Sequence, residues 1–136
     1  MNITVKKLQI RTKKSVELIN ITPEINEIIY NLKVKNGFVL IYTKHTTTAL
    51  IINENEDRLL SDIKETLLRI VPKGAGYKHD QIDNNAHSHI IASLIGNSLC
   101  IPIINGSMDL GTWQSILFIE LDGPRTRTIT VQTYSE

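Results

Sequence analysis

The amino-acid sequence predicts one α+β domain in which two β-sheets form a sandwich with two or three helices. The chain has 136 residues, enough for one core and too few for a separate second domain, so residues 1–136 are read as a single unit. Four short runs, VLIY, ALII, LCIPII and ILFI, are apolar at consecutive positions. That pattern buries both faces of a strand, which an open sheet with one wet face does not require. Two or three helices cannot cover so much sheet. Either two sheets pack on each other or another subunit supplies the cover, and the pattern favours both together.

In chain order, ITVKKLQIR (residues 3–11) and the SVELINI that follows alternate loosely between apolar and polar and read as a pair of strands. TPEINEIIYNLK opens on a cap residue, Thr22, with Pro23 at the first helical position and Glu24 in the first turn. Ile25, Ile28, Ile29 and Leu32 fall at helical spacing, and Asn36-Gly37 closes the segment. FVLIYTKH and TTALIIN are short, β-branched strands. From Asn53 the period changes: Leu59, Leu60, Ile63, Leu67, Ile70 and Val71 mark one face of a second helix, stopped by Pro72. VPKGAGYKHDQIDNNAHSH reads as a long polar loop, of a length usually functional or disordered. HIIASLIG is a short helix ending at Gly96. Three strands follow, SLCIPII, SILFIEL and TRTITVQTY, separated by the turns INGSMDLGTW and DGPR. Pro102 places the first of these at a sheet edge or a bulge.

Composition narrows the function classes. Fifteen Lys and Arg against fourteen Asp and Glu give a net charge of +1, and aromatics are 5% of the chain. Neither a phosphate-backbone footprint nor a set of base-stacking platforms is present, so nucleic acid is not expected as a partner. The one cysteine, Cys100, lies in an apolar run and reads as a buried small hydrophobe. With no disulfide possible within the chain, no signal-like leader and no membrane-length segment, a cytoplasmic protein is expected. Walker, GxGxxG, GxSxG and CxxC motifs are absent, which disfavours nucleotide and dinucleotide binding.

Candidate chemistry concentrates in a few places. HTTTALIINENE (45–56) begins on an imidazole, crosses an apolar run and ends on carboxylates. Asn53 or Asn55 capping the second helix, with Glu56 completing a capping-box-like pair, explains that end apart from Glu54. Glu54 directly follows Leu50-Ile51-Ile52, where partial desolvation would raise its pKa and suit it to proton transfer. His45 stands at the strand start, and His79, His87 and His89 lie along the long loop. Imidazole is the commonest metal ligand, and catalytic zinc keeps three protein ligands and an open position. The spacing H-x7-H-x-H matches no standard zinc motif, and ordinary surface histidines on a polar loop explain it equally well. Asp80 and Asp83 either orient such ligands or solvate the loop. Trp113 reads as core packing. Arg125 and Arg127, two apart, would share a strand face and hold a phosphate, although a solvated sheet edge accounts for them more cheaply.

HTTTALIINEN, GYKHD followed by NNAHSHIIASLIGNSL, and IPIINGSMDLGTWQSILFIELDGPRTR resemble, in order and spacing over nearly the whole chain, the YjbQ family, also called UPF0047 or the secondary thiamine-phosphate synthase family. The resemblance implies a YjbQ-like two-sheet sandwich assembled as a homotrimer. It implies a metal site at His45, His79 and His89 with His87 as fourth candidate, and Glu54 and Gln114 near that site. The implied activity joins hydroxymethylpyrimidine diphosphate to thiazole phosphate and releases pyrophosphate, with Thr46, Thr47, Asn53 and Arg125 as substrate or phosphate contacts. A divalent metal is implied. Three imidazoles favour zinc, whereas diphosphate departure suits magnesium brought with the substrate. Rival expectations are a zinc-dependent hydrolase of a small phosphorylated substrate and a metal- or anion-binding trimer without turnover. Thr48 and Ser115 stand where the family often has alanine and glycine, and neither is a proposed ligand.

Overall fold

The protein is described over residues 1–136 by a computed structural model. Its strands are β1 (Asn2–Arg11), β2 (Glu17–Asn20), β3 (Gly37–Thr43), β4 (Thr48–Asn53), β5 (Ser98–Ile104), β6 (Ser107–Met108), β7 (Ser115–Glu120) and β8 (Thr126–Ser135). The helices are α1 (Thr22–Asn31), α2 (Asp57–Ile70) and α3 (Ala86–Ile95). A five-stranded antiparallel sheet has the order β1-β8-β3-β5-β6, and a three-stranded one the order β2-β7-β4. The first two strands therefore do not pair with each other: β1 joins β8 in the large sheet and β2 joins β7 in the small one.

The two sheets enclose the main core. Val39, Ile41, Ile101, Ile129 and Val131 from the large sheet meet Leu50, Ile116 and Phe118 from the small one, and α1 adds Ile25 and Ile29. On the other side of the small sheet, Ala49, Ile119 and Leu121 pack with Ile91 and Ala92 of α3 and with Leu67 and Leu68 of α2. The small sheet is thus covered on both faces, as ALII and ILFI require. Each fully buried side chain such as Phe118, with no exposed area, contributes about 1.5–3 kcal/mol. The large sheet is covered on one face only. Its other face presents Val5, Phe38, Leu40, Tyr42, Cys100 and Ile104, all partly or fully exposed in the single chain, with Phe38 and Tyr134 stacked at 4.5 Å between ring centroids. Cys100 is exposed, not buried, because it lies on this outer face.

Local chemistry moves several helix ends from their expected places. Thr22 is not the cap of α1: Asn20 Oδ1 accepts from both the Thr22 amide and its hydroxyl, and the helix ends at Leu32 before Lys33, whose φ is 56°. Glu56 caps α2 by accepting from the Arg58 amide, while Asn53 Oδ1 accepts from the Glu54 amide and does not reach the helix. Helix α3 starts at Ala86, so His87 and His89 are helical and the preceding loop is shorter than expected. Asp80 Oδ1 accepts from the Ala86 amide and supplies the capping bond that makes the earlier start possible. Trp113 is 73% exposed and packs in no core cluster, because GTWQ sits in a turn ahead of β7. No helix is long and apolar enough to cross a membrane.

Candidate functional site

The chain passes from the large sheet to the small one through Lys44–Thr47, and the threonines there hold that passage. Thr43 and Thr48 share a buried hydroxyl–hydroxyl bond of 2.8 Å, and Thr47 Oγ1 accepts from Arg127 Nη2 at 2.9 Å. Thr46 is the exposed one of the three consecutive threonines. His45 Nε2 accepts the Thr128 amide of β8 at 3.0 Å. Burial, and then the Arg127 charge, hold the His45 pKa below its usual value, so the ring is neutral near pH 7.

Beneath this loop lies an ion pair absent from the sequence reading. Arg127, 5% exposed, donates through Nε and Nη2 to the two carboxylate oxygens of Glu120, which has no exposed surface. Thr12 Oγ1 and the Asp122 amide also donate to Glu120. Burial alone would raise the Glu120 pKa, but the Arg127, Thr12 and backbone hydrogen bonds outweigh it and hold the carboxyl below the usual range. The warning sign in the sequence was a glutamate ending the apolar run SILFIE, since a buried carboxylate needs a partner. Arg125 and Arg127 do not share a strand face: Arg127 points into the core, and Arg125 precedes β8 with its side chain 53% exposed.

Arg125 belongs to a second network. Its Nε donates to the Asp122 carbonyl at 2.8 Å and its Nη2 to Asp122 Oδ2 at 3.0 Å. The same carboxylate oxygen accepts Asn85 Nδ2 at 2.9 Å, and Asn85 Oδ1 lies 3.1 Å from His79 Nε2. His89, on the first turn of α3, meets His79 edge to face with ring centroids 4.9 Å apart.

These groups open on one cleft of about 460 Å³, lined by Lys44, His45, Thr46, Thr47, His79, Ile82, Asp83, Asn85, His89, Asp122, Arg125 and Arg127. A neighbouring recess of about 560 Å³ shares Lys44, His45, Thr46 and His89 with it. Of the residues singled out in the sequence, the fold brings together His45, His79, His89, Thr46, Thr47 and Arg125. His87 does not line the cleft. It is 7% exposed on the first turn of α3, its Nδ1 is buried without a partner, and burial followed by the Lys73 charge keeps its pKa low. Asn53, Glu54 and Gln114 stand at the far end of β4 and β7, where Asn53 pairs with Ser115. At about 3.3 Å per residue, the strand carries Glu54 roughly 20 Å from His45 within one chain.

A resident metal is decided by which nitrogens face it. No three His, Cys, Asp or Glu side chains gather closely enough to share an ion. A backbone amide can only donate, so His45 Nε2 supplies the lone pair to Thr128, and the neutral ring carries its proton on Nδ1. In that state His45 offers a donor and not a ligand, and the three-imidazole zinc site does not fit the residues as they are held.

Comparison with known proteins follows the same outline. The family model described as "UPF0047 protein YjbQ-like" matches residues 6–136. The chain belongs to the YjbQ-like UPF0047 family. A UPF0047 protein of Methanothermobacter thermautotrophicus is 51% identical over 131 residues, covering 96% of this chain and 92% of the relative. YugU of Bacillus subtilis, also a UPF0047 protein, is 40% identical over 126 residues, covering 90% and 93%. Among solved structures, a YjbQ-like protein of unknown function from Sulfolobus solfataricus superposes with a TM-score of 0.96 at 35% identity, covering 99% of each chain. A hypothetical protein of Aeropyrum pernix gives 0.95 at 36% identity, over 98% and 99%. The cleft residues of this YjbQ-like chain are therefore set in an architecture already seen in crystals of the family.

Proposed function

We propose that this YjbQ-like protein is a cytoplasmic, homotrimeric enzyme acting on a small phosphorylated substrate in the histidine and arginine cleft. Thiamine-phosphate synthase activity is the named form of that reading. The observation that supports it best is the convergence of His45, His79, His89, Thr46 and Arg125 on one cleft beside Lys44. Cationic and hydroxyl donors are the groups that hold phosphate oxygens and stabilise a departing diphosphate. Arg125 is suited to the task because Asp122 already fixes its Nε and Nη2, so little rotamer freedom is lost on binding.

The residues present favour direct contact with phosphate over a zinc held by three imidazoles. A divalent ion would then arrive as magnesium with the diphosphate, neutralising charge on the leaving group. Glu54 and Gln114 would serve the same site only if another subunit brings them to it. The apolar outer face of the large sheet is the surface we assign to assembly.

The test is formation of thiamine phosphate from hydroxymethylpyrimidine diphosphate and thiazole phosphate, with and without magnesium, alongside metal content of untagged, chelator-free protein. Turnover that needs magnesium and falls at least tenfold in Arg125→Ala is the expected result. About one zinc per chain, lost in His89→Ala, would restore the zinc-site reading. Absence of turnover with intact phosphate binding would leave an anion-binding protein.

A further inference from the structure

The hydrogen bonds around the cleft determine more than its shape, because several of their members have only one possible role. Asp122 accepts and cannot donate as a carboxylate, so the Asn85 atom facing it at 2.9 Å is the amide nitrogen. That orientation turns Asn85 Oδ1, an acceptor, toward His79 Nε2 at 3.1 Å. His79 therefore carries a proton on Nε2, and in the neutral ring this leaves Nδ1 as the lone pair. His45 is bound by the opposite logic: the Thr128 amide donates to Nε2, which leaves the proton on Nδ1. His87 Nδ1 is the only fully buried side-chain nitrogen or oxygen without a partner, so His45 Nδ1, which makes no bond within the chain, is not sealed off from the cleft that His45 lines.

We infer that the cleft holds His45 and His79 in opposite neutral tautomers, His45 as a hydrogen-bond donor and His79 as an acceptor. The ligand it selects then carries phosphate oxygens at one end and a hydroxyl or amino hydrogen at the other. His45 Nδ1–H and the guanidinium hydrogens of Arg125 not spent on Asp122 face the oxygens, and His79 Nδ1 takes the hydrogen.

Asn85 and Asp122 are positioning residues in this scheme. Asn85 is 6% exposed and lies immediately before α3, so its amide cannot swing to another partner without giving up its bond to Asp122 Oδ2, which would then keep only Arg125. The frame also reaches the buried ion pair, since the Asp122 amide donates to Glu120 at 3.1 Å. The imidazole states are thus tied to the core of the molecule and not to the mobility of a surface loop.

The phosphate end of the inference rests on the function proposed above, whereas the two tautomers do not. They are read in the intact, ligand-free protein from two-bond proton–nitrogen correlations of the 15N-labelled imidazoles at about pH 8, above the ordinary imidazole range. His45→Gln and His79→Gln supply the assignments. The expected result is an Nδ1–H pattern for His45 and an Nε2–H pattern for His79. In Asn85→Ala the His79 pattern should become averaged while that of His45 stays, a change that loss of stability alone would not produce. The same tautomer on both rings, or an averaged His79 in the unsubstituted protein, overturns the inference without any variant.

Ligand class is then tested with glycerol 3-phosphate against propyl phosphate, followed on the same resonances. Glycerol 3-phosphate should bind about fivefold tighter, the share of one hydrogen bond, and Asn85→Ala should erase that preference. Equal binding with the tautomers intact overturns the donor-and-phosphate ligand. If neither compound perturbs the cleft while the tautomers are as expected, the phosphate reading of the function fails and the tautomer assignment stands.

Discussion

Replacing Arg127 by methionine should be the most damaging single change in the neighbourhood of the cleft. The substitution keeps most of the apolar stem and removes the fork that meets both oxygens of Glu120. Glu120 has no exposed surface and would keep only Thr12 Oγ1, at 2.7 Å, and the Asp122 amide. Breaking a buried pair by removing one partner costs about 3–5 kcal/mol, whereas replacing both partners by apolar groups is often neutral. A melting temperature lower by about 10 °C or more is expected for a domain of this size, and Arg127→Met with Glu120→Leu should recover most of the loss. The acid limb gives a second reading. Glu120 has its pKa lowered in the folded state, so its contribution is present above the ordinary glutamate pKa and is lost as pH falls through the lowered value. Without Arg127 that loss moves to higher pH. Urea unfolding followed by circular dichroism at several pH values measures both effects. A single variant within about 1 kcal/mol of the parent, or a double variant no better than the single, would refute the reasoning.

His87 acts in the same pH direction as Glu120, in a higher window. Its folded pKa is lowered, so its share of stability is complete above the ordinary histidine pKa and declines as pH falls from there toward the folded value. His87→Leu removes a buried nitrogen without a partner and should leave stability at pH 7 equal or higher while flattening that decline, as urea midpoints across the range will show. Gly123→Ala should destabilise by about 1–3 kcal/mol, because a Cβ there would run into the Lys14 carbonyl oxygen and come within 2.8 Å of Glu120 Cγ; a melting temperature equal to the parent's would contradict that packing. Trp113→Ala should change stability by less than about 0.5 kcal/mol, since the ring is 73% exposed, and the parent's fluorescence should be that of a hydrated indole.

The sequence conveyed the architecture where pattern and burial agree. ALII and ILFI became the doubly covered strands β4 and β7, and the α1 stripe placed Ile25 and Ile29 in the core. LCIPII carried the same apolar signal, yet its second face is open within the chain, because periodicity reports what a strand can bury and not what covers it. Helix ends were read less well: Asn20, Glu56 and Asp80 supply the capping bonds, and each competes with equally good cap residues a few positions away. The histidines, Thr46, Thr47 and Arg125 were visible from residue type. Asn85, Asp122 and Glu120 were not, since their importance lies in contacts such as Asn85 with Asp122, 37 positions apart.

The run HTTTALIINENE is one block in sequence and two places in space. A strand of six residues, Thr48–Asn53, separates His45 from Glu54, and at about 3.3 Å per residue no side chain spans that gap. If both ends act on one substrate, the second comes from another subunit, and mixing experiments can distinguish the cases. In a cyclic trimer that shares its sites between neighbours, refolding equal amounts of His89→Ala and Glu54→Gln protein would rebuild about a quarter of the sites intact. Activity near that fraction of the parent's, from two inactive parents, would place Glu54 at a shared cleft. With activity in Glu54→Gln alone undiminished, Glu54 would have no part in the chemistry. With both parents inactive and the mixture equally so, the two residues would be required within a single chain, and Glu54 would then support the structure at the far end of β4 and not the reaction beside His45.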